Sequence, residues 1–531
     1  MMERIQVVLG LLTAVAALAV LARRIRIPVP ILLVIGGLIL ALIPGIPKLR
    51  LDPEMVFLLF LPPLLYPAAL FTPWRDFREN LRPILLLAVG LVLFTTVTVA
   101  FLAHKFIADL PLAAAFVLGA IVSPTDAIAA TSIAQRLRIP RRIIAIVEGE
   151  SLVNDATALV AYQFAVGAVL TGSFSLAKAS GQFVIVSAGG ILFGLLVGLV
   201  SAWILERLDD TPIQITVSLL IPFAAYLPAE RMGISGVLAV VAAGFYHGWR
   251  SPEMVSARMR LQAAPVWEMI EFLLNGFIFI VIGLQLPGVL QALSGRPLPE
   301  LFRQAAGFSV VVILIRVVWV FAATYLPRLL SERIRKRDPF PSWRSVTIMA
   351  WTGMRGVVSL AAALALPAVI QNGQTFPARE LIVFLTFAVI LATLVAQGLS
   401  LPPLIRLLHL RQDRRAEREE YEARLKANHA ALARIDGIAG AESVDPATLQ
   451  RLRIEYEDRI RQLEDSERED SEKSYHLFSQ EYERLSHAAL QAERQVILKL
   501  RNDSVINDDV LRRIQRDIDL ADARLRYPDK K

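Results

Sequence analysis

Residues 143–170 read Ile143-Ile144-Ala145-Ile146-Val147-Glu148-Gly149-Glu150-Ser151-Leu152-Val153-Asn154-Asp155-Ala156 and then run on for fourteen residues without a charge. A helix needs ~20 mainly apolar residues to cross a hydrocarbon core of ~30 Å, and this run is long enough. Yet it carries three carboxylates. An ionisable side chain inside a bilayer is costly, and by default it marks a function. Ser151 and Asp155 are four residues apart and share one helix face, while Glu150 and Asn154 form the neighbouring stripe.

The rest of the chain fits that solvent. Of 531 residues, 55% are apolar and 20% charged, and the mean hydropathy is +0.53. Soluble domains carry more charge than this. There is no cysteine, which excludes disulfide scaffolds, cysteine zinc sites, thiol nucleophiles and iron–sulfur clusters. Residues 1–401 hold 31 basic and 21 acidic residues; residues 402–531 hold 25 and 27 in a third of the length. Two solvents explain this contrast: a transmembrane domain over 1–401 and a cytosolic helical tail over 402–531. The basic excess lies in the apolar part, which suits an anionic membrane surface rather than nucleic acid.

Thirteen apolar runs follow one another: 5–22, 27–46, 54–73, 83–106, 112–135, 143–170, 180–205, 212–228, 233–249, 264–288, 304–327, 345–370 and 380–401. With the N-terminus outside, the inner loops hold 20 basic residues and the outer side 9. That bias orients the chain and places the tail in the cytoplasm. Basic residues follow the first apolar run, so it is expected to be an anchor rather than a cleaved leader. Thirteen divides as six, one and six, and an odd linker span inverts the second six, the arrangement of secondary transporters. The expected fold is therefore an all-α polytopic membrane protein with about 13 transmembrane helices in two inverted six-helix repeats.

Charges inside the spans locate the site. At 1.5 Å per residue, Asp126 lies roughly 15 Å from the inner boundary, Asp155 roughly 20 Å and Arg355 roughly 16 Å. Pro124 removes a backbone donor and disfavours helix at Ser123. Gly353, Gly356 and Pro367 weaken the later span. Two interrupted spans in corresponding halves point to a transport site. Free carbonyls beside Thr125 and Asp126 are the hard oxygens that a dehydrated alkali cation takes. Arg355 is expected to pair with Glu150, since an unpaired guanidinium at that depth is untenable. Arg316 is read as holding packing or facing a helix C-terminus rather than touching the ion. Glu268 and Glu271, at the inner side of the tenth span, are read as the solvated end of a helix in preference to an electrostatic ion funnel.

Ser123-Pro124-Thr125-Asp126, Glu148 through Asp155, and Gly353-Met354-Arg355-Gly356-Val357-Val358-Ser359-Leu360 with Leu366-Pro367 resemble the sodium/proton exchangers of cation–proton antiporter family one, in their bacterial form. Trp267-Glu268, Asn275-Gly276, Ile282-Gly283 and Ser235 through Val240 look like the same family. The resemblance covers most of 1–401. It implies a homodimer in the bacterial inner membrane, with a scaffold and a mobile core whose unwound helices cross at the ion site. It implies Asp155 as cation ligand and proton carrier, with Asp126, Thr125 and Ser151 as further ligands of Na⁺. Asn154 orients the site, and Glu150 with Arg355 forms a structural ion pair. An Asn-Asp pair goes with electroneutral one-for-one exchange. Two departures stand out: Ala127 replaces a common proline, and Leu61-Pro62-Pro63-Leu64-Leu65-Tyr66-Pro67 lacks the acidic residue that some members carry.

A proton and Na⁺, Li⁺ or K⁺ then compete for one carboxylate, and only a neutralised site crosses the barrier cheaply. No cofactor or ATP is needed, and the tail has no nucleotide-binding glycine loop. A potassium/proton antiporter is the nearest alternative. An intramembrane aspartyl protease is disfavoured because neither Asp126 nor Asp155 follows Tyr or sits in Gly-x-Gly-Asp. A channel is disfavoured for want of a repeated carbonyl filter. In the tail, Leu449, Leu452, Tyr456, Ile460 and Leu463 repeat as an amphipathic seam. Gly437–Pro446 reads as a break, and Asn507-Asp508-Asp509 as the start of a last helix. The tail is expected to regulate transport or stabilise the dimer.

Overall fold

The computed structural model describes residues 2–25, 27–43, 53–107, 110–127, 130–131, 137, 139–172, 176–293, 295, 297–367, 369–370, 374–409, 415–441, 445–467, 472–503 and 505–526. Of the loop bases counted above, Arg26, Lys48, Arg50, Arg136, Arg138 and Arg296 lie outside these residues. Among the described residues the regular structure is helical, with one isolated bridge between Val369 and Thr375.

Helix occurs in every apolar run. The first six runs give α1 (Met2–Ile25), α2 (Val29–Ala41), α3 (Pro53–Phe71), α4 (Leu81–Phe106), α5 (Leu112–Val122) and α6 (Arg141–Thr171). Next come α7 (Leu176–Leu205), α8 (Thr211–Arg231), α9 (Gly236–Met254), α10 (Ala257–Ala292) and α11 (Leu298–Leu330). The twelfth run is split into α12 (Trp343–Trp351) and α13 (Val357–Leu364), and α14 spans Arg379–Leu408. Eight of these helices are long and apolar enough to cross a membrane, and shorter apolar helices accompany them.

Local chemistry sets the boundaries. The side chains of Asp210, Ser235 and Ser256 each accept a backbone N–H from the first turn of α8, α9 and α10, the usual work of an N-cap. Gly233 turns the chain between α8 and α9 with φ +71°, which glycine adopts without a Cβ penalty. The polar residues before Pro265 join α10 instead of preceding it.

Packing depends on close backbone approach. A Cβ on Gly37 would stand 2.0 Å from the Ile280 carbonyl oxygen, and one on Gly283 would stand 2.1 Å from that of Val34. Small residues at such crossings let membrane helices associate through backbone contact. The outward side is apolar instead: Val184, Ile185, Leu192, Leu196 and Leu199 of α7 are exposed, as suits a lipid-facing surface.

The chain divides into two compact units, Met1–Asp413 and Arg414–Lys531. The first runs past Leu401 because α14 continues to Leu408. The second contains α15 (Arg415–Ala441), α16 (Pro446–Glu467), α17 (Glu472–Asn502) and α18 (Asp508–Arg526). Helix continues through Gly437, since one glycine costs only ~1 kcal/mol in a helix. Asn507 caps α18 by accepting the Val510 N–H at 2.9 Å, and Leu511 and Ile518 bury against Ile497.

Candidate cation site

The two interrupted spans meet. After α5 ends at Val122, residues 123–126 are not helical, and neither are 352–356 between α12 and α13. Where they cross, the Asp126 N–H donates to the Met354 carbonyl at 2.7 Å. The approach is tight enough that a Cβ on Gly356 would lie 2.0 Å from Asp126 Oδ2. Pro124 and the two glycines thus do what their sequence pattern implies: they free the backbone and let the segments touch.

Helix α6 runs past this crossing and presents two different faces. On one, Glu150 is buried against Arg316 of α11, whose Nη1 and Nη2 reach its two carboxylate oxygens at 2.5 and 2.9 Å. The Thr125 hydroxyl donates to Glu150 Oε1 at 2.9 Å. Asn154 Nδ2 donates to the Thr125 carbonyl and hydroxyl at 3.1 and 3.0 Å, and Arg316 donates to the Met349 carbonyl at 3.2 Å. This network fastens α6, α11, α12 and the unwound segment after α5 to one another.

The partner of Glu150 corrects the expectation from sequence. Glu150 pairs with Arg316, not with Arg355. Arg355 is buried nearby, but its Nε donates to the Val122 carbonyl at 3.2 Å and its Nη1 to the Gly353 carbonyl. Its backbone N–H donates to Thr393 Oγ1 at 3.1 Å. The reason is physical: interrupting a helix leaves carbonyls without partners and the negative end of a dipole in the membrane interior. A guanidinium satisfies both. Arg316, read from sequence as packing, is the counter-charge.

The other face of α6 looks into a cavity of about 570 Å³. Asp126, Ser151 and Asp155 line it, together with Ser359 of α13. Asp155 is 8% exposed, and its side chain takes part in no hydrogen bond or ion pair among the described residues. Asp126 is close enough to add a second negative charge to its surroundings. Ser151 Oγ accepts the Ala127 N–H at 3.2 Å. Of the five residues singled out as cation or proton ligands, Thr125, Asp126, Ser151 and Asp155 therefore share the cavity wall, and Asn154 does not line it. Asn154 is engaged with Thr125, whose hydroxyl in turn donates to Glu150.

Glu271 lies deeper than the solvated helix end favoured for it. Helix α10 begins at Ala257, so Glu271 lies well within it, and it lines the same cavity as Glu148; Glu268 is exposed. A buried cluster that the sequence did not indicate joins α3, α7 and α9. Tyr66 Oη meets His247 Nδ1 at 2.6 Å, while His247 Nε2 meets the Gly198 carbonyl and Ser201 Oγ at 3.0 Å each. A carbonyl only accepts, so Nε2 carries the proton and Tyr66 donates to Nδ1. Those contacts span 181 and 49 residues, beyond the reach of any local pattern.

Residues 10–407 match the model of the family described as sodium/hydrogen exchanger, transmembrane. A protein of Mycobacterium tuberculosis named as an uncharacterized Na(+)/H(+) exchanger is 37% identical over 98% of this chain and 96% of its own length. A Bacillus subtilis protein named as a sodium, potassium, lithium and rubidium/H(+) antiporter is 37% identical over 76% of this chain and 61% of its own. The solved structure of a sodium proton antiporter from Methanocaldococcus jannaschii superposes with a TM-score of 0.59 at 20% identity, covering 77% of this chain and all of that one, a likeness of fold. These are transporters, which sets aside the protease reading. With a family model over three quarters of the sequence and a relative matching almost end to end, the chain belongs to the transmembrane sodium/hydrogen exchangers.

Proposed function

We propose that this exchanger moves one monovalent cation against one proton, with Asp155 as the group that both occupy in turn. One observation carries the reading. Asp155 is buried at the wall of a roomy cavity and its side chain is paired with no cationic side chain among the described residues, whereas Glu150 on the adjoining face is neutralised by Arg316. A buried carboxylate needs a positive partner, and here the partner is the cargo. Asp126, Ser151 and Thr125, which line the same cavity, complete the ligand set beside it. The Thr125 hydroxyl, already donating to Glu150 and accepting from Asn154, holds the unwound segment in place. Asn154 contributes no charge, so one binding event exchanges one positive charge for another and the cycle is electroneutral.

The protein works as a homodimer in a bacterial inner membrane, N-terminus outside and tail in the cytoplasm, with a tail that regulates exchange or steadies the dimer. The bias of basic loop residues supports that orientation. Cation choice among Na⁺, Li⁺ and K⁺ is settled by dequenching of a pH dye in proteoliposomes, scanned over the three ions with and without a voltage clamp. Saturable exchange for Na⁺ that ignores the clamp is the expected result. A rate that follows the imposed voltage contradicts electroneutral exchange, and a response to K⁺ alone assigns the chain to potassium/proton exchange.

A further inference from the structure

Away from the aspartates, a separate cavity of about 330 Å³ lies among α4, α6, α11 and the start of α12. Its wall carries three arginines from three helices, Arg82, Arg142 and Arg328, and one carboxylate, Asp338. Asp338 Oδ1 accepts from Arg142 Nη2 at 2.9 Å, and its Oδ2 and backbone oxygen accept from Arg328. Arg142 Nε also donates to Asn80 Oδ1 at 2.9 Å, and Arg328 Nη1 to the Thr324 carbonyl. Two guanidinium groups are thus clamped around a single carboxylate. The Arg82 side chain has no hydrogen bond or ion pair among the described residues. Three positive charges against one negative leave the cavity two charges in excess. Arg82 and Arg142 stand close enough to Arg328 for their charges to oppose it.

Like charges held together beside low-dielectric walls repel strongly, and an anion relieves them. Arginine forks match the oxygens of a phosphate in two-point contacts. Ser342 and Ser345, at the start of α12, face the same cavity. Helix N-termini favour anions, which adds to the arginines' pull. The neighbouring chain is built for a membrane surface: Leu326, Leu329 and Leu330 beside Arg328 are exposed, as are Phe340 and Trp343 beside the serines. Aromatic residues of this kind collect at headgroup level, and basic pockets between membrane helices suit anionic lipid headgroups.

We propose that this cavity binds an anionic phosphate group, with the Arg82 side chain, unpartnered among the described residues, supplying a contact to it. The bound group ties α4, α6, α11 and α12 together at one end. It is distinct from the cation site, which has its own cavity and carboxylates.

The test uses the full chain, purified and delipidated in detergent, and three probes: phosphatidylglycerol, phosphatidylcholine and inorganic phosphate. Native mass spectrometry reads bound lipid, and thermal melting reads all three. Phosphatidylglycerol is expected to be retained and to raise the melting temperature. Arg82→Gln weakens its binding about fivefold, as expected for one basic group at an anionic surface, while Arg82→Lys restores most of it. Cation exchange in both variants shows that they fold, since Arg82 takes no part in the cation site. If inorganic phosphate alone stabilises the native chain but not Arg82→Gln, the site stands and its ligand is the free ion. Binding of all three probes that is indifferent to Arg82 overturns the proposal, and the arginines then serve only as surface charge.

Discussion

Glu150 and Asp155 sit on one helix, five residues apart, both buried, and the fold treats them oppositely. Glu150 has a fixed counter-charge, two-point contact from Arg316 and a hydroxyl donor from Thr125. Asp155 has a cavity. A carboxylate locked to an arginine holds helices in register and has no reason to exchange its partner. A buried carboxylate left facing an open cavity needs a cation or a proton for its charge. The same residue chemistry becomes framework or machinery according to what stands opposite.

The sharpest way to break this contrast is to neutralise each acid separately. Asp155→Asn is isosteric and removes only the charge. It should leave a folded protein, monodisperse by size-exclusion chromatography, whose exchange falls to that of empty liposomes. Glu150→Gln should fail in the other way. Removing one partner of a buried pair leaves an uncompensated charge and costs about 3–5 kcal/mol. Thermal melting in detergent should show a marked loss of stability, partly restored in the double variant Glu150→Gln/Arg316→Met. If Glu150→Gln melts like the parent and only exchange is lost, Glu150 belongs to the transport machinery and the contrast fails.

A smaller effect is expected at the crossing. Gly356→Ala places a methyl group 2.0 Å from Asp126 Oδ2, and overpacking of this kind costs about 1–3 kcal/mol. The carboxylate must move, so the cation concentration for half-maximal exchange should rise more than the maximal rate falls. An unchanged cation dependence would remove Asp126 from the ligand set. Least of all, Asn507→Ala should cost about 1 kcal/mol at the start of α18. Faster hydrogen exchange at the Val510 amide would register it, with transport untouched.

Much of this was legible in the sequence, and the reasons differ by feature. Spans are readable because lipid demands long apolar runs. The crossing is readable because Pro124, Gly353 and Gly356 act on their own backbone. Asn507 is readable as a cap for the same local reason. The partner of Glu150 was not. Both Arg316 and Arg355 lie at suitable depth, and the choice depends on how α11 passes α6 and on which carbonyls the broken helices expose. The depth of Glu271 escaped because the polar residues from Ala257 onward resemble a loop, yet they extend α10. His247 escaped because its partners Tyr66 and Gly198 are distant in sequence.

Competition for one carboxylate is tested most directly without any membrane. Purified protein in weakly buffered detergent solution is mixed with Na⁺, and released protons are followed with a pH dye. The expected result is about one proton released per chain on saturation, with none released by Asp155→Asn. Sodium binding to the parent protein without proton release, or equal release from the variant, would contradict the assignment of Asp155 as the shared carrier.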